Sequence, residues 1–309
     1  MIKTLTHYTH TLVLTFALLA LNACQTTPPQ SSAAPPAHQN SRGQYNNASY
    51  PKPALPSFGG IHPKAPHPTV GARAVIVIHA NTGTVLYQKN ADTRYPVAST
   101  QKLMMALLLV EAGNMGKDIR VAPSDTYVEP TKMGLKTGEH YRKDDLLRAV
   151  LVRSSNDIAH CLARDHAGSM PAFANLMTQR ARQLGMNNSV FKTASGLPAP
   201  GQYSTARDLS ILAAAAMRQP FIRQTVKTKS LTFRFANGRT KPVKTTNKVL
   251  LSYPYCTGMK TGYTRAAGKC LVSSASHNGR NIIVVVLGSR IPVIWGESRA
   301  LLHWGLKLS

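Results

Sequence analysis

Residues 99–110 read Ser-Thr-Gln-Lys-Leu-Met-Met-Ala-Leu-Leu-Leu-Val. Beyond its first turn the stretch is apolar on every side, which predicts a helix placed in the middle of a core. Ser99 and Lys102 lie three residues apart and therefore share a helical face. A lysine at that place is desolvated, its ammonium is disfavoured, and it becomes a neutral base within reach of the serine hydroxyl. The start of the helix adds free amide donors and positive potential beside whatever forms on Ser99. A plainer arrangement fits the same twelve residues: Ser99 as a helix N-cap, with Lys102 snorkelling to water. The rest of the chain has to separate the two.

The chain has 309 residues, 43% of them hydrophobic, enough for one large domain or two ordinary ones. Its formal charge is +25, with the basic residues spread along the whole length and gathered into no nucleic-acid motif. That pattern points to a polyanionic surface, such as anionic lipid or a carboxylate-rich polymer, and away from nucleic acid.

Residues 1–23 hold an early lysine, Lys3, and an apolar run from Thr11 to Leu21 that is too short to span a bilayer and suits a signal-peptide core. Leu21-Asn22-Ala23-Cys24 resembles a bacterial lipobox, in which Cys24 is lipidated and becomes the mature N-terminus. The expectation is an exported, membrane-anchored lipoprotein facing the periplasm or cell wall, with an ordinary secretory signal as the alternative. Residues 24–70 follow as a Pro-rich tether. The stretch from Thr26 to Pro68 has half of the chain's prolines, almost no large aliphatics and no acid, so it cannot bury enough apolar area to fold. In extended form it reaches on the order of 130 Å.

Residues 71–309 are expected to form one catalytic domain. Two strands, Arg73–His79 and Thr84–Gln88, read as a hairpin closed by Asn81-Thr82-Gly83. After the central helix, helical signals cover 144–152, 157–166, 169–184 and 204–217. Strands follow at 231–235, 258–263, 270–276 and 282–287, and a last helix at 295–307. Strands at both ends with helices between give an α/β (α+β) fold: an antiparallel sheet built from both termini, flanked by helices, with an inserted helical lobe.

Ser-x-x-Lys alone is weak evidence, because it occurs at Ser49–Lys52, Ser99–Lys102 and Ser189–Lys192. Only the middle copy begins a buried helix. Ser154-Ser155-Asn156 sits between two helical runs, where a short loop can project a hydroxyl and an amide into a cleft, or simply cap the next helix. A second Ser-x-Asn, Ser276-His277-Asn278, falls in a hairpin turn. Lys-Thr-Gly occurs in a turn at 136–138 and on a late strand at Lys260-Thr261-Gly262, where the glycine lets a substrate backbone approach and the lysine meets a carboxylate.

Ser-x-x-Lys at a buried helix start, Ser-x-Asn in an inter-helix loop and Lys-Thr-Gly on a late strand form the set found in penicillin-binding proteins and serine β-lactamases. From about Ala72 onward the chain resembles the low-molecular-mass serine D-alanyl-D-alanine carboxypeptidases. The likeness is carried by Tyr95-Pro-Val-Ala-Ser-Thr-Gln-Lys102, Ser154-Ser-Asn-Asp157, Ser195-Gly-Leu197, Gly201-Gln-Tyr-Ser-Thr-Ala-Arg-Asp208 and Gly258-Met-Lys-Thr-Gly-Tyr-Thr264.

The resemblance implies a β-lactamase/transpeptidase-like five-stranded sheet. It implies Ser99 as the nucleophile, Lys102 as its base and Ser154 as a proton relay. Asn156 would hold the peptide, Lys260 and Thr261 would face the terminal carboxylate beside Gly262, and the amides of Ser99 and Tyr263 would form the oxyanion hole. Its substrates would be peptidoglycan stem peptides ending in D-Ala-D-Ala, with β-lactams as covalent inhibitors and no cofactor. A class A β-lactamase also needs a glutamate after the Ser-x-Asn loop, and no glutamate occurs between Asn156 and Glu297. Family members often carry an arginine near the start of the last helix. Here Ile294 and Trp295 stand there, with Arg290 or Arg299 as substitutes. The β-rich second domain and C-terminal anchor of well-known relatives have no counterpart before Ser309, which would move anchoring to Cys24.

Three cysteines remain besides Cys24. Cys161 lies on an apolar helix face; Cys256 and Cys270 flank the Lys-Thr-Gly hairpin, and either pair or, with a turn centred near Arg265 that sets Cys270 opposite Lys260, stand apart. The histidines show no metal-ligand spacing. A DD-endopeptidase that cuts cross-links would use the same residues, and a non-catalytic, basic cell-wall-binding lipoprotein is the alternative from another class.

Overall fold

The computed structural model describes residues 66–308. The signal segment and the tether up to residue 65, Cys24 included, lie outside the described residues; the last tether residues pack on the domain, with Val70 buried and His67 against Tyr87. Five strands form one antiparallel sheet: β1 (Ala74–His79), β2 (Val85–Lys89), β7 (Cys256–Thr264), β8 (Gly268–His277) and β9 (Arg280–Ser289), in the order β2-β1-β9-β8-β7. The first two come from the N-terminal side of the described chain and the other three from its C-terminal side, as expected.

The central strands read as unbroken apolar runs because both faces of the sheet are covered. On β1, Ile76 and Ile78 join one apolar cluster while Val75 and Val77 join another. On β9, Ile283, Val285 and Leu287 face the first side and Ile282, Val284 and Val286 the second. The second side is closed by α8 (Val293–Leu308) through Ile294, Leu301 and Leu302, helped by the short α7 (Lys248–Ser252). The first side meets the inserted lobe: α1 (Lys102–Glu111), α2 (Lys143–Arg153), α3 (Asn156–Ala167), α4 (Met170–Gln183), α5 (Ala206–Arg218) and α6 (Pro220–Val226). Two two-stranded sheets stand outside the main sheet, β3 (Asp118–Arg120) with β4 (His140–Arg142), and the hairpin β5 (Ser230–Arg234) with β6 (Thr240–Lys244).

Ionic contacts tie the layers together where apolar packing cannot. Arg180 of α4 grips Glu111 at the end of α1, with both side chains largely out of water. Asp125, fully buried, accepts from His160 and Arg164 of α3, which holds its carboxyl down at about 2. Glu297 of α8 accepts from the amides of Gly71 and Ala72 and from Ser289 Oγ, so it joins the chain leading into β1 to the end of β9.

The cysteine alternatives resolve by register. Cys270 faces Gly262 and Lys260 faces Val272, two residues from the pairing expected with a turn at Arg265, because β7 and β8 turn between Thr264 and Gly268, about Ala266. Cys256 and Cys270 belong to the apolar clusters on opposite sides of the sheet, which no disulfide can bridge. Both are free thiols, as is buried Cys161.

Candidate active site

The central helix begins differently from its sequence pattern. Residues Ala98–Gln101 form a 3₁₀ turn and the α-helix proper starts at Lys102. No side chain caps either start, so Ser99 is not an N-cap. Ala98 holds a left-handed φ of 49°, a local strain placed immediately before the serine. Lys102 does not snorkel. It is fully buried, and its Nζ lies 2.8 Å from Ser99 Oγ, 2.8 Å from Asn156 Oδ1 and 2.6 Å from the Ser195 carbonyl.

Burial drives the Lys102 pKa well below that of an ordinary lysine, and the nearby charge of Lys260 pushes it the same way, against a weaker pull from Asp157. A neutral amine has two N–H donors and one lone pair. Asn156 Oδ1 and the Ser195 carbonyl can only accept, so in the neutral form of the amine they take both donors and its lone pair is left for the Ser99 hydroxyl, which otherwise donates to the Ser195 carbonyl at 3.1 Å. Asn156 is in turn oriented by donating through Nδ2 to the Pro130 carbonyl, and its own amide donates to the Thr131 carbonyl.

Ser154 ends α2 in the left-handed region, with φ 72°, and Ser155 occupies the N-cap position of α3 without a side-chain cap bond. The capping alternative for this loop therefore does not hold, and the Ser154 hydroxyl accepts at 2.8 Å from Lys260 Nζ. Lys260 is itself buried, gives a second bond to the Thr261 carbonyl, and is lowered by desolvation to about 7. The cation that the resemblance sets against the carboxylate is thus directed at Ser154. Thr261 lines the cleft and shares a 2.6 Å hydroxyl contact with Thr246, which lines it too.

The cleft encloses about 380 Å³ and is bordered by Ser99, Ser154, Asn156, Thr261, Gly262 and Tyr263. All but two of the eight catalytic and substrate-binding residues expected from sequence border it; Lys102 and Lys260 lie directly behind. Gly262 is required by closeness, since a Cβ there would come within 3.0 Å of the Ser99 nitrogen. Neither Arg290 nor Arg299 lines the cleft. Trp295 does, and the cations that border it are the exposed Arg153 and the half-buried Lys269, whose Nζ stands 3.8 Å over the Tyr263 ring. Two contributors lie in stretches that carried the resemblance but were given no role from sequence. Ser195 acts through its carbonyl, invisible in a side-chain motif, and Asp157 binds the amides of Met133 and Gly134 and so holds the wall that carries Pro130 and Thr131.

The other motif copies sit elsewhere. Lys136-Thr137-Gly138 and Ser276-His277-Asn278 are exposed, and Ser189 is buried against Asp208 and Ser204 with Lys192 facing water. Asp208 lies in the first turn of α5, its amide capped by Thr205.

The family model for D-alanyl-D-alanine carboxypeptidases matches residues 61–290. The chain belongs to the D-alanyl-D-alanine carboxypeptidase family, peptidase family S11.

Among the family's curated members, the D-alanyl-D-alanine carboxypeptidase DacC of Escherichia coli is 36% identical over 78% of this chain and 62% of its own length. DacB2 of Mycobacterium tuberculosis is 32% identical over 79% of this chain and 85% of its own. The chain spans only about three fifths of DacC and of the Bacillus subtilis relative DacF. Among solved structures, a D-alanyl-D-alanine carboxypeptidase from Mycobacterium tuberculosis superposes with a TM-score of 0.77 at 31% identity, covering 81% of this chain and 97% of that one. The Streptomyces K15 DD-transpeptidase gives 0.75 at 29% identity, covering 79% and 100%. The catalytic-domain fold is therefore that of the penicillin-binding DD-peptidases.

Proposed function

We propose that the protein is a serine DD-carboxypeptidase that removes the terminal D-alanine from peptidoglycan stem peptides. The observation that carries the proposal is the fully buried Lys102 Nζ 2.8 Å from the Ser99 hydroxyl, held there by Asn156 Oδ1 and the Ser195 carbonyl, with its pKa driven down by burial. Ser99 Oγ attacks the carbonyl of the penultimate D-alanine and its proton passes to Lys102. The amides of Ser99 and Tyr263 bind the developing oxyanion. The C–N bond then breaks, the departing amine receives a proton through Ser154, backed by Lys260, and an ester remains on Ser99. Water attacks the ester with Lys102 again as the base, since no glutamate follows the Ser-x-Asn loop before Glu297. Thr261 supplies a hydroxyl at the carboxylate end, and Arg153 and Lys269 supply the charge open to it. A β-lactam, mimicking the dipeptide, would acylate Ser99 by the same steps.

We further infer, from the Leu21–Cys24 pattern alone, a lipid anchor at Cys24 that holds the domain on a membrane facing the periplasm or cell wall. Metabolic labelling with a fatty acid tests this reading: wild type is labelled and Cys24→Ser is not. For the activity, a soluble acyl-D-Ala-D-Ala peptide is incubated with wild type and Ser99→Ala. Free D-alanine from the wild type alone supports the reading; no D-alanine from either, with the fold intact, contradicts it.

A further inference from the structure

All twelve acids of the chain except Glu297 lie at or before Asp208, and Glu297 is buried against two amides and a hydroxyl. Between these two acids the chain carries fourteen lysines and arginines. Half of them crowd into residues 227–248, which contain β5, β6 and their flanks: Lys227, Lys229, Arg234, Arg239, Lys241, Lys244 and Lys248. None enters an ion pair among the described residues; every such pair lies between Asp92 and Arg207.

The hairpin is two-sided. Phe233 and Val243 are buried, and Lys241 on that side donates to the Met133 carbonyl. The opposite side carries the pairs Ser230–Lys244, Thr232–Pro242 and Arg234–Thr240, all exposed. Arg234 and Lys244 make this side polar and cationic, without any exposed large apolar side chain, and the exposed Lys227 and Lys229 flank the start of β5. Beyond β6 the chain runs directly into Thr246, whose hydroxyl meets Thr261 in the cleft wall.

We propose that the outer face of the β5–β6 hairpin is a docking surface for the polymer that bears the substrate peptides. The proposal rests on the peptidase reading above. Peptides that end in free carboxylates, many to a chain, make their carrier a polyanion, and a carrier with one peptide in the cleft must pass over the residues that border it. None of the hairpin cations lines the cleft itself, but Lys244 stands two residues before Thr246 in its wall, and cations without acidic partners on that hairpin then raise local substrate concentration and slow departure. Anionic lipid is the weaker occupant, because interfacial docking also draws on apolar side chains that this face lacks.

The test compares wild type, K227Q/K229Q/R234Q/K244Q and a control that loses the same charge elsewhere, R120Q/K136Q/R182Q/K192Q. Retention on purified insoluble peptidoglycan is measured at low and high salt, alongside release of D-alanine from a soluble acyl-D-Ala-D-Ala peptide and binding to vesicles of phosphatidylglycerol. The hairpin variant is expected to lose about tenfold in polymer affinity at low salt, with the difference closing at high salt, while soluble-peptide turnover stays within about twofold and the control keeps its polymer affinity. Equal loss in the control, unchanged retention of the hairpin variant, or loss confined to the vesicles would each overturn the proposal. Failure of wild type on the soluble peptide would instead strike the peptidase reading.

Discussion

At Lys102 the Ser-x-x-Lys spacing shows only that serine and lysine share a face; burial and the nearby charge of Lys260 lower the amine's pKa, while Asn156 and the Ser195 carbonyl fix where it points. Removing the amine should therefore cut acylation: Lys102→Ala is expected to lower kcat/KM by about 10²- to 10⁴-fold, measured by D-alanine release from folded protein. Lys260 offers a second test, through stability. Its folded pKa of about 7 lies below the ordinary 10.5, so between those values the unfolded chain holds a proton that the folded chain has released. Stability should accordingly rise with pH across that window, and Lys102, shifted the same way, adds to the rise. Thermal denaturation from pH 6 to 10 should show a shallower rise in Lys260→Met than in wild type. The sequence motif named both lysines but not their partners, because a backbone carbonyl from residue 195 and a hydroxyl on another helix end leave no mark in local spacing.

Among the elements, the 3₁₀ turn before α1 and the loop at Ser195–Leu197 are built against each other. Gly196 has φ 84°, and a Cβ there would lie 2.1 Å from the Ala98 carbonyl oxygen. Gly196→Ala is expected to destabilise the fold by about 2–4 kcal/mol in urea and to cut acylation by about tenfold or more, since the loop that presents the Ser195 carbonyl must move. The long periodic helices and the apolar strands were legible, because one face or both faces of each is buried and the pattern records it. The 3₁₀ start was not, since a helix-like pattern does not separate three from four residues per hydrogen bond. The β7–β8 turn was centred one residue early and the pairing thereby misplaced by two, because Arg265, Ala266 and Ala267 carry no turn signature strong enough to centre the hairpin.

Over the whole molecule the architecture was legible from the order of strands and helices, while the uneven placement of charge was not. Net charge counted the excess cations, but only the structure shows the acids of the helical lobe neutralising their neighbours and the β5–β6 hairpin left without any. Closure of the fold converges on Glu297, the late acid that pins the entry of β1. Glu297→Ala should cost about 2–4 kcal/mol by urea unfolding, because it strands two buried amides and a hydroxyl.

The central claim is that Ser99, deprotonated by Lys102, is acylated by D-Ala-D-Ala substrates. Intact-mass spectrometry of protein quenched in acid after brief exposure to a D-Ala-D-Ala thioester or to penicillin, followed by peptide mapping, tests it most directly. The adduct should map to Ser99 in wild type and be missing in Ser99→Ala and Lys102→Ala; an adduct on another residue, or an equal one in Ser99→Ala, would contradict it.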